Sequence, residues 1–184
     1  MDGKSCVIDG EPVALRPAAR MEDTLQAFAV RAACFIGEQD VPFSEEFDGH
    51  DHGATHLIAY LGDEPIGTVR LRWFKSFAMP DRLAVIQRFR SRGVGRLLLE
   101  QGRAIAEGRG SRLLYVRTTP LRAGYFERLG WRRLDRTPGA NATAALVRPT
   151  DSAHVGIALD TDADDLSAQY ADDTIVTWPV ASPR

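Results

Sequence analysis

The chain has 184 residues, 44% of them hydrophobic and 26% charged, enough for one compact domain to bury a core without metal or disulfide staples. Its formal net charge of -2 excludes a general affinity for nucleic acid, which needs a basic surface excess, so any phosphate binding is expected to be local. Two cysteines, Cys6 and Cys34, fit reduced thiols, and no apolar run approaches the roughly 20 residues that cross a bilayer, so a soluble cytoplasmic protein without a membrane partner is the expectation.

Residues 13–17 read as a short strand ended by Pro17. Residues 21–36 follow with Leu25, Phe28, Ala29, Ala32 and Phe35 at spacings of three and four, a helical stripe. Residues 37–53 are polar and acidic with no sustained period, a long loop or broken helix of the kind that often carries function. Residues 54–61 and 65–74, rich in β-branched and aromatic side chains around Gly62-Asp63-Glu64, predict a hairpin. Residues 82–89 predict a third strand running into a glycine segment. The helix that opens at Gly93 sets Val94, Leu97, Leu98 and Ile105 against Arg96, Glu100, Arg103 and Glu107, and ends at Gly108-Arg109-Gly110. A strand over 112–118, a helix over 121–129 closed by Gly130, a strand over 131–134 and a last strand over 154–159 complete an alternation that implies an α/β sheet covered by helices. One domain over residues 1–160 and an acidic tail over 161–184 are the expected division.

The chemistry concentrates where a strand ends in Arg90-Ser91-Arg92-Gly93-Val94-Gly95-Arg96 and opens into a helix. Unpaired backbone N–H groups at a positive dipole end bind anions, glycines at 93 and 95 let a ligand approach the main chain, and Arg90, Arg92 and Arg96 add charge-assisted hydrogen bonds to phosphate oxygens. A tight turn with solvated arginines is the plain alternative. No Gly-x-x-x-x-Gly-Lys-Ser/Thr is present, and Leu98 stands where a dinucleotide fingerprint wants glycine or alanine.

Arg90-x-x-Gly93-x-Gly95 resembles the pyrophosphate loop of the GNAT acetyltransferase superfamily, Arg/Gln-x-x-Gly-x-Gly/Ala. The preceding Arg82-Leu83-Ala84-Val85, the later Ala123-Gly124-Tyr125-Phe126-Glu127-Arg128-Leu129-Gly130-Trp131 and the upstream Phe35-Ile36-Gly37-Glu38-Gln39-Asp40-Val41-Pro42, Glu46-Phe47-Asp48, Thr55-His56-Leu57 and Gly67-Thr68-Val69-Arg70-Leu71 are similar to a small bacterial branch with poorly defined acceptors. His154-Val155 is similar to that branch's last strand, so the resemblance spans about residues 13–159. It implies a mixed, mostly antiparallel sheet splayed after its fourth strand and flanked by helices. It also implies acetyl-CoA as co-substrate, with pantetheine against the main chain of Leu83, Ala84 and Val85 and pyrophosphate on Ser91, Arg92, Gly93, Val94, Gly95 and Arg96, beside Arg90 and Phe126. The acceptor would be the amine of a small molecule or peptide, and a homodimer is possible.

Acyl transfer to an amine needs a deprotonated amine, a polarised carbonyl and a proton for the departing thiolate. In many relatives a tyrosine four residues before the helix-closing glycine is thought to supply that proton; here the position is Phe126, and Tyr125 is one residue, about 100° of helix, away. Tyr125 is the candidate acid, with packing or water as alternatives. Glu38 is the candidate base and Gln39 a substrate-positioning group, against solvated surface side chains. Glu45, Glu46, Asp48 and Asp51 make the loop acidic, which would attract a cationic acceptor. His56 is a candidate for the substrate cleft or a structural histidine. His50, His52 and the nearby carboxylates lack an established zinc spacing, so no metal is expected. Trp73, Phe74 and Phe77 either wall an acceptor pocket or pack in the sheet. Longer-chain acyl transfer, on a similarity to acyl-homoserine-lactone synthases in Glu46-Phe47-Asp48 and the segment after Gly67, and a non-catalytic acyl-CoA sensor remain alternatives.

Overall fold

A computed structural model describes residues 6–75, 77–118, 120–133 and 153–158, the last six by their backbone. The chain is a mixed α/β fold with a mostly antiparallel sheet, and it divides into two compact units, Met1–Trp73 with Pro80–Ile105 and Phe74–Met79 with Ala106–Arg184. The tail over 161–184 lies outside the described residues.

In the first unit, β1 (Val7–Ile8) and β2 (Glu11–Pro17) form a hairpin whose turn residues Asp9 and Gly10 both take positive φ, 52° and 89°, the twist-matched geometry of tight hairpins. α1 (Met21–Arg31) begins where Asp23 Oδ2 accepts from the Ala19 and Arg20 backbone N–H groups at 3.1 and 3.0 Å. It continues as a π-helical turn over Ala32–Ile36, then α2 (Gly37–Gln39), which stops at Asp40 in the left-handed region, and α3 (Phe43–Glu46). The short helices α2 and α3 match the broken-helix reading of residues 37–53, whereas the helix over 21–36 buries Ala27, Val30, Arg31 and Cys34 and leaves Leu25 of the expected stripe 57% exposed. Arg31 can be interior because Glu46 and Asp51 pair with it, and this turns the buried line away from Leu25.

β3 (Thr55–Leu61) and β4 (Glu64–Trp73) are the predicted hairpin, turning at Gly62. Alternation along β3 sends Leu57 and Ala59 into a cluster with Ile66, Val69, Phe89, Val94 and Leu98, and Ile58 and Tyr60 into another with Ala27. Helices thus cover both faces, and each large apolar side chain so buried stabilises by about 1.5–3 kcal/mol. β5 (Phe77–Val85) starts five residues earlier than the predicted strand, and Gln87–Phe89 is a 3-10 turn instead of strand. Arg82, at φ 50°, interrupts the strand's regular conformation at the place where the prediction began. α4 (Val94–Gly108) buries Val94, Leu98, Leu99 and Ala106. Strand order within this unit is β1-β2-β3-β4-β5.

The second unit contains the start of β5, then β6 (Leu113–Thr118), α5 (Pro120–Arg128), β7 (Arg132–Arg133) and β8 (Ala153–Ala158), in the order β5-β6-β8-β7. β5 meets β6 in parallel for only two residue pairs, Phe77 with Leu113 and Ala78 with Leu114. β8 is antiparallel to both β6 and β7. Phe77, Met79, Leu113 and Tyr115 form its apolar cluster.

Candidate cofactor loop and active site

Between the 3-10 turn and α4 the chain makes a sharp reversal: Arg90 is extended, Ser91 takes φ 62°, Gly93 takes φ 91°, and Gly93 C=O then accepts from the Leu97 N–H at 3.0 Å to start the helix. A Cβ added at Gly93 would meet only Cys6 Sγ, at 3.8 Å, so the main chain is open to approach there. A helix of 15 residues begins directly after, with the orphan N–H groups and positive dipole end that suit a phosphate. Beneath it the packing is tight. A Cβ on Gly67 of β4 would lie 3.1 Å from both Ala84 O and Val94 Cγ1 and 3.3 Å from Leu98 Cδ1, so a residue without a side chain sets how closely β5 and the helix start approach β4.

Every arginine of this region has a carboxylate partner on an exposed or half-exposed surface. Arg88 pairs with Glu64, Arg92 Nη1 with Asp9 at 3.0 Å, and Arg96 Nε with Glu100 at 2.7 Å. Arg90 donates from Nε to the Val85 carbonyl at 2.8 Å and from Nη2 to Glu38 Oε2 at 2.5 Å. Leu83 and Val85 are half-buried against the core and Ala84 is buried at 4% exposure, so Arg90 already engages one of the three main-chain positions expected to face pantetheine. Cys6 Sγ donates to the Arg92 carbonyl at 3.1 Å, a loop contact with no signal in the sequence pattern, and burial pushes its thiol up.

Glu38 sits in α2 just after the π turn, and its ion pair brings it to Arg90. Gln39 Nε2 donates to the Cys34 carbonyl at 2.9 Å, and the Val41 N–H to the Phe35 carbonyl at 2.9 Å, closing the turn. Such π turns arise where an extra residue is held in a helix.

The acidic loop differs from its sequence reading. Arg31 Nε donates to Glu46 Oε1 at 2.5 Å and its Nη1 to Asp51 Oδ1 at 2.6 Å; Arg70 makes paired bonds to Asp48 at 2.7 and 2.8 Å and to Asp81 at 2.7 and 2.8 Å. Arg82 reaches the Glu45 carbonyl and Asp48 Oδ2. Both Arg31 and Arg70 have fully buried side chains. Three of the four carboxylates invoked to attract a cationic acceptor are thus spent on internal arginines, and the expectation of a negative loop is corrected. Burial alone would raise the Asp48 carboxyl, yet Arg70, with the His50 N–H and Arg82, holds it well below the usual carboxylate range; Asp51 is lowered in the same way by Arg31 and Arg70. Glu46 goes the other way because burial outweighs Arg31, and its Oε2, 3.0 Å from Arg82 Nε, lies off the hydrogen-bond direction.

His56 belongs to this network. It lies opposite Arg70 in the β3–β4 register, is 4% exposed, meets Phe28 edge-on at 5.5 Å, and places Nε2 3.7 Å from Asp51 Oδ1 with neither ring nitrogen hydrogen-bonded. Burial lowers its basicity. The side chain is enclosed beside the ion cluster, against Phe28 and Asp51. The available signal for Arg31 and Arg70 was positional: each occupies an interior place in the helical or strand period, where a charge requires partners.

In the second unit, Phe126 is 7% exposed and packs edge-on against Tyr125 at 5.3 Å and Trp131 at 5.4 Å, while Tyr125 is half-buried. Phe77 is fully buried and stacks on Phe74 at 4.4 Å, the packing alternative for these two rings; Trp73 Nε1 donates to Thr55 Oγ1 at 3.1 Å. No helix among the described residues is long and apolar enough to cross a membrane.

A family model described as an acetyltransferase (GNAT) domain matches residues 52–133. A Bacillus subtilis (strain 168) protein designated an acetyltransferase is 32% identical over 114 residues, covering 60% of this chain and 78% of its own, and the N-acetyltransferase YjcF of the same strain is 35% identical over 95 residues, covering 50% and 68%. Among solved structures, an N-acetyltransferase from Lactobacillus plantarum superposes with a TM-score of 0.68 at 22% identity over 80% of this chain and 99% of that one. A GNAT family acetyltransferase from Elizabethkingia anophelis with acetyl-CoA bound gives 0.61 at 17% identity over 79% and 97%. The fold, the open glycine loop at the start of a long helix and these similarities agree that the chain belongs to the GNAT acetyltransferase superfamily, a group of acyl-CoA-dependent acyltransferases.

Proposed function

We propose that the chain moves an acetyl group from acetyl-CoA to a primary amine of a small molecule or peptide by direct attack. The observation that carries this reading is the loop at residues 90–96, where Ser91 and the open Gly93, both left-handed, meet the start of a 15-residue helix. Ser91, Arg92, Gly93, Val94, Gly95 and Arg96 would hold the pyrophosphate, and the main chain of Leu83, Ala84 and Val85 the pantetheine, with Phe126 beside the cofactor.

In the step itself, the acceptor ammonium gives a proton to the Glu38 carboxylate. The neutral amine attacks the thioester carbonyl, a C–N bond forms, the C–S bond breaks, the thiolate takes a proton from Tyr125 or water, and the proton still on the new amide nitrogen goes to the tyrosinate or hydroxide so formed. Holding both substrates in register supplies much of the acceleration. Gln39, bonded to the turn's own carbonyl, acts on Glu38 by fixing that turn. The pairing of Glu46, Asp48 and Asp51 with Arg31 and Arg70 removes the argument for a cationic acceptor, so the amine class is open to neutral and anionic molecules as well. A non-catalytic acyl-CoA sensor is the second reading, favoured by Phe126 at the position where relatives carry tyrosine.

Acetyl-CoA is expected to raise the melting temperature, and Gly95→Glu to abolish the rise by placing a charged side chain in the phosphate's path; a rise that survives overturns the loop assignment. Thiol release across amino acids, polyamines, aminosugars and peptides separates enzyme from sensor, since background release with every amine supports the sensor. Octanoyl-CoA turned over as well as acetyl-CoA would remove acetyl from the proposal. Tyr125→Phe is expected to lower turnover about a hundredfold, the lower end of general-acid effects, with CoA affinity unchanged.

A further inference from the structure

Arg90 differs from its neighbours on the loop in what its partner is. Arg88, Arg92 and Arg96 pair with carboxylates that have no proposed role, whereas Arg90 pairs with Glu38. A guanidinium offers its donors as a planar fork suited equally to carboxylate and phosphate oxygens, and here Nε is committed to the Val85 carbonyl and Nη2 to Glu38 Oε2. The side chains are 41% and 28% exposed, so the pair is open to water and to exchange. Its removal would not unfold α2, because Gln39 and the Val41 N–H hold that turn independently.

We propose that Arg90 is a positioning residue that serves two anions in turn: it holds the Glu38 carboxylate while the loop is empty, and the cofactor's phosphates take its Nη2 face on binding and release Glu38 to face the acceptor. This rests on the reading of residues 90–96 as the phosphate loop. A pyrophosphate carries more charge than a carboxylate and meets the helix start as well, so it wins the competition. Val85, through its carbonyl, keeps Arg90 aimed at the loop during the exchange. Charge is conserved on the protein throughout, since only the partner of one guanidinium changes.

The test is a double-mutant cycle on CoA binding by titration calorimetry at fixed ionic strength, with wild type, Glu38→Gln, Arg90→Gln and the double variant. Loss of the internal competitor is expected to make Glu38→Gln bind CoA about two- to fivefold tighter, the range that exposed ion pairs span. Arg90→Gln is expected to weaken binding about tenfold, as loss of a hydrogen bond to a charged group does. In the Arg90→Gln background, Glu38→Gln should have no effect. Unchanged or weaker binding by Glu38→Gln overturns the proposal, and so does equal tightening in both backgrounds, which would report only the removal of a negative charge. Carbodiimide labelling of Glu38, read by peptide mass spectrometry, should rise when CoA is added to the wild type and be high without CoA in Arg90→Gln; labelling that CoA leaves unchanged or lowers overturns it equally. Wild-type protein that fails to bind CoA, or Gly95→Glu that binds it normally, removes the loop reading itself, whereas normal CoA binding with no effect of Glu38→Gln removes only the exchange.

Discussion

Two sets of arginine–carboxylate pairs lie in the same unit and are built to opposite ends. Around β3, β4 and the acidic loop, Arg31 and Arg70 are wholly enclosed, each guanidinium faces at least two carboxylates, and the bonds run at 2.5–3.0 Å. Around the glycine loop, Arg88, Arg90, Arg92 and Arg96 are 41–63% exposed and each faces one carboxylate. A buried charge deprived of its partner has nowhere to find another, so the first set locks structure, while water and salt compete freely for the second, so it stays available to a ligand.

The sharpest way to break this contrast is Arg70→Ala. It strands Asp48 and Asp81 without their main cation and is expected to cost about 3–5 kcal/mol of unfolding free energy in a urea titration. A loss below about 1 kcal/mol, the ceiling for exposed pairs, would place Arg70 with the loop arginines. Acidification probes the same network without mutation. His56 is lowered by burial, so the stability tied to its neutral form is present above the unfolded value of about 6.5 and is lost as pH falls through that value toward the folded one. Asp48 and Asp51 are lowered by their arginines, so their contribution is complete above about 3.9 and is lost as pH falls further. Glu46 is raised, so its charged form opposes folding and protonation relieves that cost, offsetting part of the first loss. Thermal midpoints measured from pH 7.5 to 3.5 should fall in two stages, and His56→Gln should remove the earlier one; a single stage in both proteins contradicts this assignment.

Gly67→Val sharpens the comparison from the loop side, because its side chain would push on Ala84 and the first turn of α4. The expected cost is about 1–3 kcal/mol with weaker CoA binding, and unchanged melting and affinity would mean the helix start is not set by that contact. The smallest effect belongs to Arg96→Gln, which removes an exposed pair on one helix face and should change unfolding free energy by about 0.3–0.5 kcal/mol, an effect that disappears at high salt.

Much of the fold was legible from local pattern. The hairpin around Gly62, the amphipathic α4 and the alternation of strands and helices after it follow from periods of two and 3.6, which act within a few residues. The start of β5 was not, since Pro80 and Asp81 look like breakers and Arg82 turns the strand at positive φ, and what holds Phe77–Met79 in the sheet is pairing and burial beyond local reach. The same limit explains the stripe of α1, where Arg31 reads as surface until Glu46 and Asp51 stand next to it.

The sequence by itself determined the β3–β4 hairpin, the amphipathic α4, the glycine segment at residues 90–96 and the absence of tyrosine at position 126, because residue identity and short spacing carry that information. Tertiary structure alone decided which charges are spent and which are available: Glu46, Asp48 and Asp51 lie within a few residues of one another, but their partners come from positions 31, 70 and 82. A carboxylate's field depends on what stands within a few ångströms of it, and that distance exists only once α1, β4 and β5 have packed.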